Sequence, residues 1–441
     1  MSNPAQGLLV QTGDRKRTSL FSFAASVLRT AQDSGSRRGI VADGDPKDLY
    51  HEVWLKVRNT FFDQYRLRGW DAWEHRFDDE MESVEDAIKC ANKMLASLKD
   101  TYTWLRNPAE VEDSNDTIDD SFVGVGIQTT KRPNGSQITQ VILGSPAEAV
   151  GLRRGDLITH INGKSVVDLS EDEVTRRIRG EEGVSVRLAF QRSGEQWKAT
   201  VVRGKIPDPA VHTDIFDDNI GYLRLDSFHQ GTTMRQMRQA LLNKLRDCRA
   251  LIIDLRGNGG GYTQMAINCA SLFIRNGHLV TIEERIAGSV GYRTKEYFVG
   301  KRGLITDAAT ERSFQQWVRR RQQCIVRSTV PIVILVDRET ASAAELFTGA
   351  MKDNGRAVVI GTRTYGKGIG QTSFPMPCGT EVCVTDLRYY TPSGLWPGDA
   401  QRKRHRIKPH ISVTGGARFH RSSISRDKQL QAAFRHLDQQ A

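Results

Sequence analysis

Three side chains in this sequence have the types and spacing to do chemistry together: Ser342, Lys367 and Gln371, separated by 25 and 4 residues. Ser342 lies in Ala341-Ser342-Ala343-Ala344-Glu345, directly after the apolar run Pro331–Val336. That run reads as a buried strand, and Ala343 to Met351 as a following helix. A hydroxyl at a strand-to-helix junction is exposed as a nucleophile while the first helical N–H groups point at developing negative charge. A lysine deprotonates such a serine only when burial brings its pKa down from about 10.4 towards neutrality. Lys367 sits in Tyr365-Gly366-Lys367-Gly368, where flanking glycines allow the close packing that would bury it. Each piece has a plainer reading, the serine as a helix cap and the lysine as a solvated turn residue. Gln371 would stand one turn beyond Lys367 in a helix, within reach of its amine.

Upstream, the apolar Leu251–Leu255 run is followed by Arg256-Gly257-Asn258-Gly259-Gly260-Gly261. A phosphate loop would end in Gly-Lys-Ser/Thr, which is missing here. A Ser-His-Asp arrangement would draw on His229 or His278, but Gly-x-Ser-x-Gly is absent around Ser342.

These motifs, in this order and spacing, resemble the C-terminal processing peptidases, also called tail-specific proteases. The resemblance runs from about Asp48 to Leu437. It implies a serine endopeptidase that cuts proteins near their C-termini, with Ser342 as nucleophile, Lys367 as base and Gln371 orienting the lysine. The oxyanion hole would be the N–H groups of Gly260 and Ala343. No metal or cofactor is implied. The partners would be protein or peptide substrates with free, apolar C-termini, and the family suggests a homo-oligomer. A reading from another class is a catalytically inactive, PDZ-containing peptide-binding scaffold.

The elements that must position these residues fall into four segments. Residues 1–46 read as a disordered or targeting tail, with no clear signal peptide, so the compartment stays open although the family is often exported. Residues 47–120 carry helical periodicity: Leu49, Val53, Val57 and Phe61, then Ala87, Ala91, Met94 and Leu95. Residues 121–206 resemble a bacterial-type PDZ domain, with Gly124, Val125, Gly126 and Ile127 as the loop for a terminal carboxylate and 169–178 as the helix beside the peptide groove. Pro207-Asp208-Pro209 reads as a linker, and 207–441 as the protease core. Alternating strands and helices there give an α/β fold with mixed sheets covered by helices. Asp427 to Leu437 reads as a closing helix.

The 441 residues carry a net charge of +11. Between Arg285 and Arg327 ten basic and three acidic residues leave an excess of seven positive charges, and this basic insertion (285–327) departs most from the family pattern. A second basic run is Arg402-Lys403-Arg404-His405-Arg406. Both read as solvated enzyme surface. With no nucleic-acid motif present, a nucleic-acid partner is disfavoured. No stretch reaches the ~18 apolar residues of a transmembrane segment. The six cysteines show no zinc spacing; Cys378 and Cys383 are placed either to pair across a hairpin or to remain free.

Overall fold

A computed structural model of the chain describes residues 45–112, 121–142, 145–207, 210–228, 233–301, 303–310, 313–319, 324–415 and 426–440. The tail expected over 1–46, apart from its last two residues, and His229 lie outside the described residues. The chain divides into two compact units, one formed by the residues up to Val111 together with Val211 onward, the other by Glu112–Ala210.

In the first unit, a mostly parallel sheet runs in the order Val211–Phe216, Ile220–Leu225, Ala250–Asp254, Ile332–Val336, Val358–Gly361, Ile411–Ser412. Only the first pairing is antiparallel. The strands Ala250–Asp254 and Ile332–Val336 are buried at every residue. This explains their largely apolar sequences, since a parallel strand covered on both faces has no solvent side to present, and the one charge, Asp254, is paired with Arg256 and accepts from the Tyr222 hydroxyl. Helix Ala343–Asp353 is buried from Ala343 to Met351. Opposite, Lys428–Asp438, capped by the Asp427 carboxylate, packs Leu430, Ala433 and Leu437 against Ile252, Val333 and Ile360.

A second sheet is antiparallel, in the order Trp104–Arg106, Glu381–Tyr390, Gly277–Arg285, Tyr292–Gly300, Gly303–Thr310, Ser313–Arg319, with Ile369–Pro375 also paired to Glu381–Tyr390. The basic segment 285–327 is therefore in large part a meander that widens this sheet. The N-terminal helices Pro46–Thr60 and Val84–Ala96 bury the predicted stripes against Met376, Val382 and Val384 of the same sheet. The region is not helical throughout: Asp100 accepts from the Tyr102 N–H and the Thr103 hydroxyl, closing a turn. Trp104–Arg106 then pairs with Glu381–Cys383 as a strand.

In the second unit, strands Ile127–Arg132, Gly135–Val141, Leu157–Ile161, Ser185–Arg192 and Glu195–Val202 form an antiparallel sheet. Helix Glu171–Ile178, capped by Ser170, buries Val174 and Ile178 in a core with Ile158, Val186 and Leu188. Pro207 ends a strand paired with Ser121–Gly124, while 208–209 of the expected linker lie outside the described residues. Among the described residues no helix is long and apolar enough to cross a membrane. Cys378 and Cys383 are not joined by a disulfide.

Candidate active site

Three neighbouring parallel strands deliver the site. The chain leaves Ala250–Asp254 into the glycine turn, Ile332–Val336 into Ser342, and Val358–Gly361 towards Lys367. All three exits are at carboxyl ends of adjacent strands, the edge of an open α/β sheet where ligands bind.

The loop before the serine is pinned to the glycine turn. Thr340 Oγ1 donates to Leu255 O at 2.9 Å, Gly257 N–H donates to Asp337 Oδ1 at 3.1 Å, and Ala341 N–H donates to Asn258 O at 2.9 Å. Ser342 itself has φ 55° and ψ −122°. That conformation is rare for a residue with a side chain and costs about 1–3 kcal/mol. It sets the serine, itself only 5% exposed, at the head of helix Ala343–Asp353. The sharp bend explains the small flanking residues. It also explains Gly260, where an added Cβ would lie 2.8 Å from Ser342 Cβ and 3.0 Å from Ala343 N.

Ala343 N–H, the first amide of the helix, has no hydrogen-bond partner among the described residues. Gly260 N–H donates to Asn258 Oδ1 at 2.9 Å, so this second predicted oxyanion donor is engaged within its own turn.

Lys367 is 3% exposed, and burial brings its ammonium down to about pKa 8 against the opposing pull of Asp100 and Glu345. Its Nζ lies 4.3 Å from the ring centroid of Tyr102. Gln371 is not on a helix; it lies on strand Ile369–Pro375, after a register shift between Gly370 and Gln371. Its Nε2 donates to Thr385 Oγ1 at 3.2 Å, while its Oε1 is buried without a partner.

Two residues that sequence reasoning assigned no role tie the serine and the lysine together. Glu345 is fully buried. Its Oε2 accepts from the N–H of Ser342 at 3.0 Å and of Lys367 at 2.8 Å. Its Oε1 accepts from Gly366 N–H at 2.8 Å and the Thr364 hydroxyl at 2.5 Å. Burial raises the Glu345 pKa, and these four hydrogen bonds oppose the rise. On the carbonyl side, the Tyr389 hydroxyl lies 2.8 Å from Ser342 O and 2.7 Å from Lys367 O, able to donate to either. Burial, reinforced by the Glu345 charge, holds that phenol well above its usual pKa, so it stays a donor. The peptide units of Ser342 and Lys367 are thus held by one carboxylate and one phenol. Ser342-x-x-Glu345 has the spacing of a capping box, the one local signal for Glu345; Tyr389, Tyr102 and Asp100 have none. His278, the described one of the two histidine alternatives, shares a hydrogen bond with Thr281 and packs at a tilt against Phe298.

In the second unit, Gly126 has φ +83° and an added Cβ would meet Ser145 Cβ at 2.1 Å, so close packing demands glycine there. The carbonyls of Val125 and Gly126 accept from Ala147 and Ile142, and Gly124 pairs with Gly204. Ile127 begins the strand facing Val141.

The family model for peptidase family S41 matches residues 219–413, and a PDZ domain model matches 137–192. The carboxy-terminal processing protease CtpA of Bacillus subtilis is 32% identical over 383 residues, covering 86% of this chain and 72% of the relative. A "Probable CtpA-like serine protease" of Staphylococcus haemolyticus is 31% identical over 302 residues, covering 68% of this chain and 55% of that protein. One from Staphylococcus aureus is 29% identical over 340 residues, covering 77% and 61%. The chain thus spans less than two thirds of the two staphylococcal proteins. Among solved structures, the photosystem II D1 C-terminal processing protease aligns with TM-score 0.48 and 25% identity, over 86% of this chain and 95% of its own. The B. subtilis relative, matched along most of both chains, decides the family: this chain belongs to peptidase family S41, the C-terminal processing proteases, and carries their PDZ domain.

Proposed function

We propose that the protein is a serine endopeptidase that cuts protein substrates near their C-termini with a Ser342–Lys367 dyad. The observation that carries this reading is the convergence of Gly260, Ser342 and a buried lysine of depressed pKa at three adjacent strand ends. Neutral Lys367 accepts the Ser342 proton as Oγ attacks the scissile carbonyl, then returns it to the leaving amine as the acyl-enzyme forms. Gln371 orients the protonated amine: its buried Oε1 is an acceptor in want of a donor, which an N–H of Lys367 would supply. Ala343 N–H and Gly260 N–H form the oxyanion hole, and Gly260 N–H exchanges Asn258 Oδ1 for the oxyanion. Each such donor stabilises the transition state by about 3 kcal/mol. Glu345 and Tyr389 act on the reaction by holding the two backbones, and the Glu345 charge also opposes the fall of the Lys367 pKa.

The PDZ unit recognises the substrate C-terminus, with an apolar last side chain beside helix Glu171–Ile178 and the carboxylate at the Gly124, Val125, Gly126 and Ile127 loop. Self-association follows the family pattern.

The test is cleavage of a protein with an unstructured, apolar C-terminal tail, read by mass spectrometry. Wild type should cut it, and Ser342→Ala and Lys367→Ala should not, while keeping the wild-type circular dichroism spectrum. Binding without cleavage by wild type would leave a peptide-binding scaffold. Cleavage by either variant would remove the dyad. An amidated tail cut as well as a free one would remove carboxylate capture by the PDZ loop.

A further inference from the structure

The basic run Arg402–Arg406 lies against the segment that bears the proposed base. Gly368 N–H donates to Gly398 O at 2.7 Å, Ala400 N–H donates to Gly366 O at 2.9 Å, and Lys367 bridges to Asp399. The run folds back as a hairpin, with Asp399 N–H donating to Lys403 O at 2.8 Å and Arg406 N–H to Pro397 O at 3.0 Å. A Cβ on Gly366 would meet Arg406 Cγ at 3.0 Å and Arg404 Cβ at 3.1 Å, so both arginines flank the residue next to Lys367. The Arg404 guanidinium stands 4.8 Å from the centroid of the Tyr365 ring. Tyr365 lies beside Tyr102, whose ring faces Lys367 Nζ. Arg404 is therefore two aromatic rings from the base.

Arg402, Lys403 and Arg404 are exposed and Arg406 is half-buried, and none of the four is in an ion pair among the described residues. The hairpin's one acid, Asp399, accepts from the N–H groups of Gln401 and Lys403 and lies 3.6 Å from Arg66. The next basic side chain in this wall, Arg388, is drawn to Asp63 and stacks over Phe62 and Trp396. Four cations within five residues repel one another over less than a Debye length, about 8 Å at physiological salt. An anionic ligand relieves that repulsion.

We propose that the hairpin is a substrate subsite for acidic side chains, in which Arg402, Lys403, Arg404 and Arg406 select carboxylates within about four extended residues (roughly 13 Å) of the scissile bond. It rests on the protease reading above and deepens it by naming a substrate feature besides the C-terminus. The attraction is between solvent-exposed charges, so it favours acidic over basic neighbours by about tenfold at low salt and falls towards twofold at high salt.

The experiment uses the full chain and two peptides with the same free C-terminus, differing only in a Glu-Glu or Lys-Lys pair beside the mapped cleavage site. The expected result is a kcat/KM ratio of about ten in favour of the acidic peptide at 50 mM salt, shrinking at 500 mM, and reversed in Arg402→Glu/Arg404→Glu. Equal or Lys-favouring cleavage by wild type, or a preference kept in the double variant, would overturn the proposal. Should the double variant misfold, Lys403→Glu and the wild-type salt dependence give the same decision. The affinities of the Ser342→Ala protein for the two peptides separate this inference from the protease reading. Unequal affinity without any cleavage by wild type sinks the chemistry and keeps the subsite. Equal affinity with cleavage of both peptides sinks the subsite and keeps the chemistry.

Discussion

Replacing Lys367 by Met should stabilise the fold, by an amount that depends on pH in a calculable way. Met keeps much of the lysine stem's volume and carries no charge to desolvate. The folded-state pKa is about 8, against the ordinary value of 10.5. The unfolded chain therefore binds more protons than the folded one between these values, and stability rises with pH across that window. Below pH 8 the folded protein bears the full cost of a buried ammonium; above about 10.5 the cost is gone. At about 1.4 kcal/mol per pKa unit, the two pKa values give a cost of about 3 kcal/mol at pH 7 and about 1 kcal/mol at pH 9.5. The assay is urea unfolding of wild type and Lys367→Met at both pH values, reading ΔΔG from the midpoints. A stabilisation larger at pH 7 by about 2 kcal/mol is expected. A pH-independent difference, or a destabilised variant at pH 7, would show that Lys367 is solvated in the folded protein and refute its role as a neutral base.

Glu345→Gln should lower kcat by tenfold or more with little change in KM, because an amide offers one oxygen where four donors need two. Loss of the Glu345 charge also removes an interaction that raises the Lys367 pKa, so residual activity should reach half-maximum below pH 8; an unshifted profile would mean that Glu345 is neutral in the resting enzyme. Tyr389→Phe strips the shared donor from two buried carbonyls and should cost about 1–3 kcal/mol in urea unfolding. Gly260→Ala should abolish peptide cleavage, since its φ of +111° and the 2.8 Å approach to Ser342 Cβ leave no room for a methyl group; an active variant would place the turn elsewhere.

What was legible in the sequence follows from which interactions are local. Burial on both faces writes itself into largely apolar runs, so Leu251–Leu255, interrupted by Asp254 alone, and Pro331–Val336 both read as strands. The junction after the second run located Ser342. The four-residue step from Lys367 to Gln371 reads as a helical turn, but side chains at even spacing also share a face of a strand, and the extra residue Asp386 on the partner strand shifts the register between Gly370 and Gln371. Asp100 and Tyr102 could be read only as a helix stop. Their place beside Lys367 is made by Trp104–Arg106 pairing with Glu381–Cys383, a contact across more than half the chain. Tyr389 was silent for the same reason: a strand tyrosine is ordinary until its hydroxyl is found between the carbonyls of Ser342 and Lys367.

The central claim is that Ser342 is acylated with Lys367 taking its proton. It is tested most directly by quenching the protein during turnover of a slow peptide ester and locating the acyl group by mass spectrometry across pH. The account predicts acyl on Ser342 alone, formed at a rate that rises to half its maximum near pH 8 and vanishes in Lys367→Arg, whose guanidinium keeps its proton. Acylation of another residue, or acylation of Ser342 at an undiminished rate in Lys367→Arg, would contradict it.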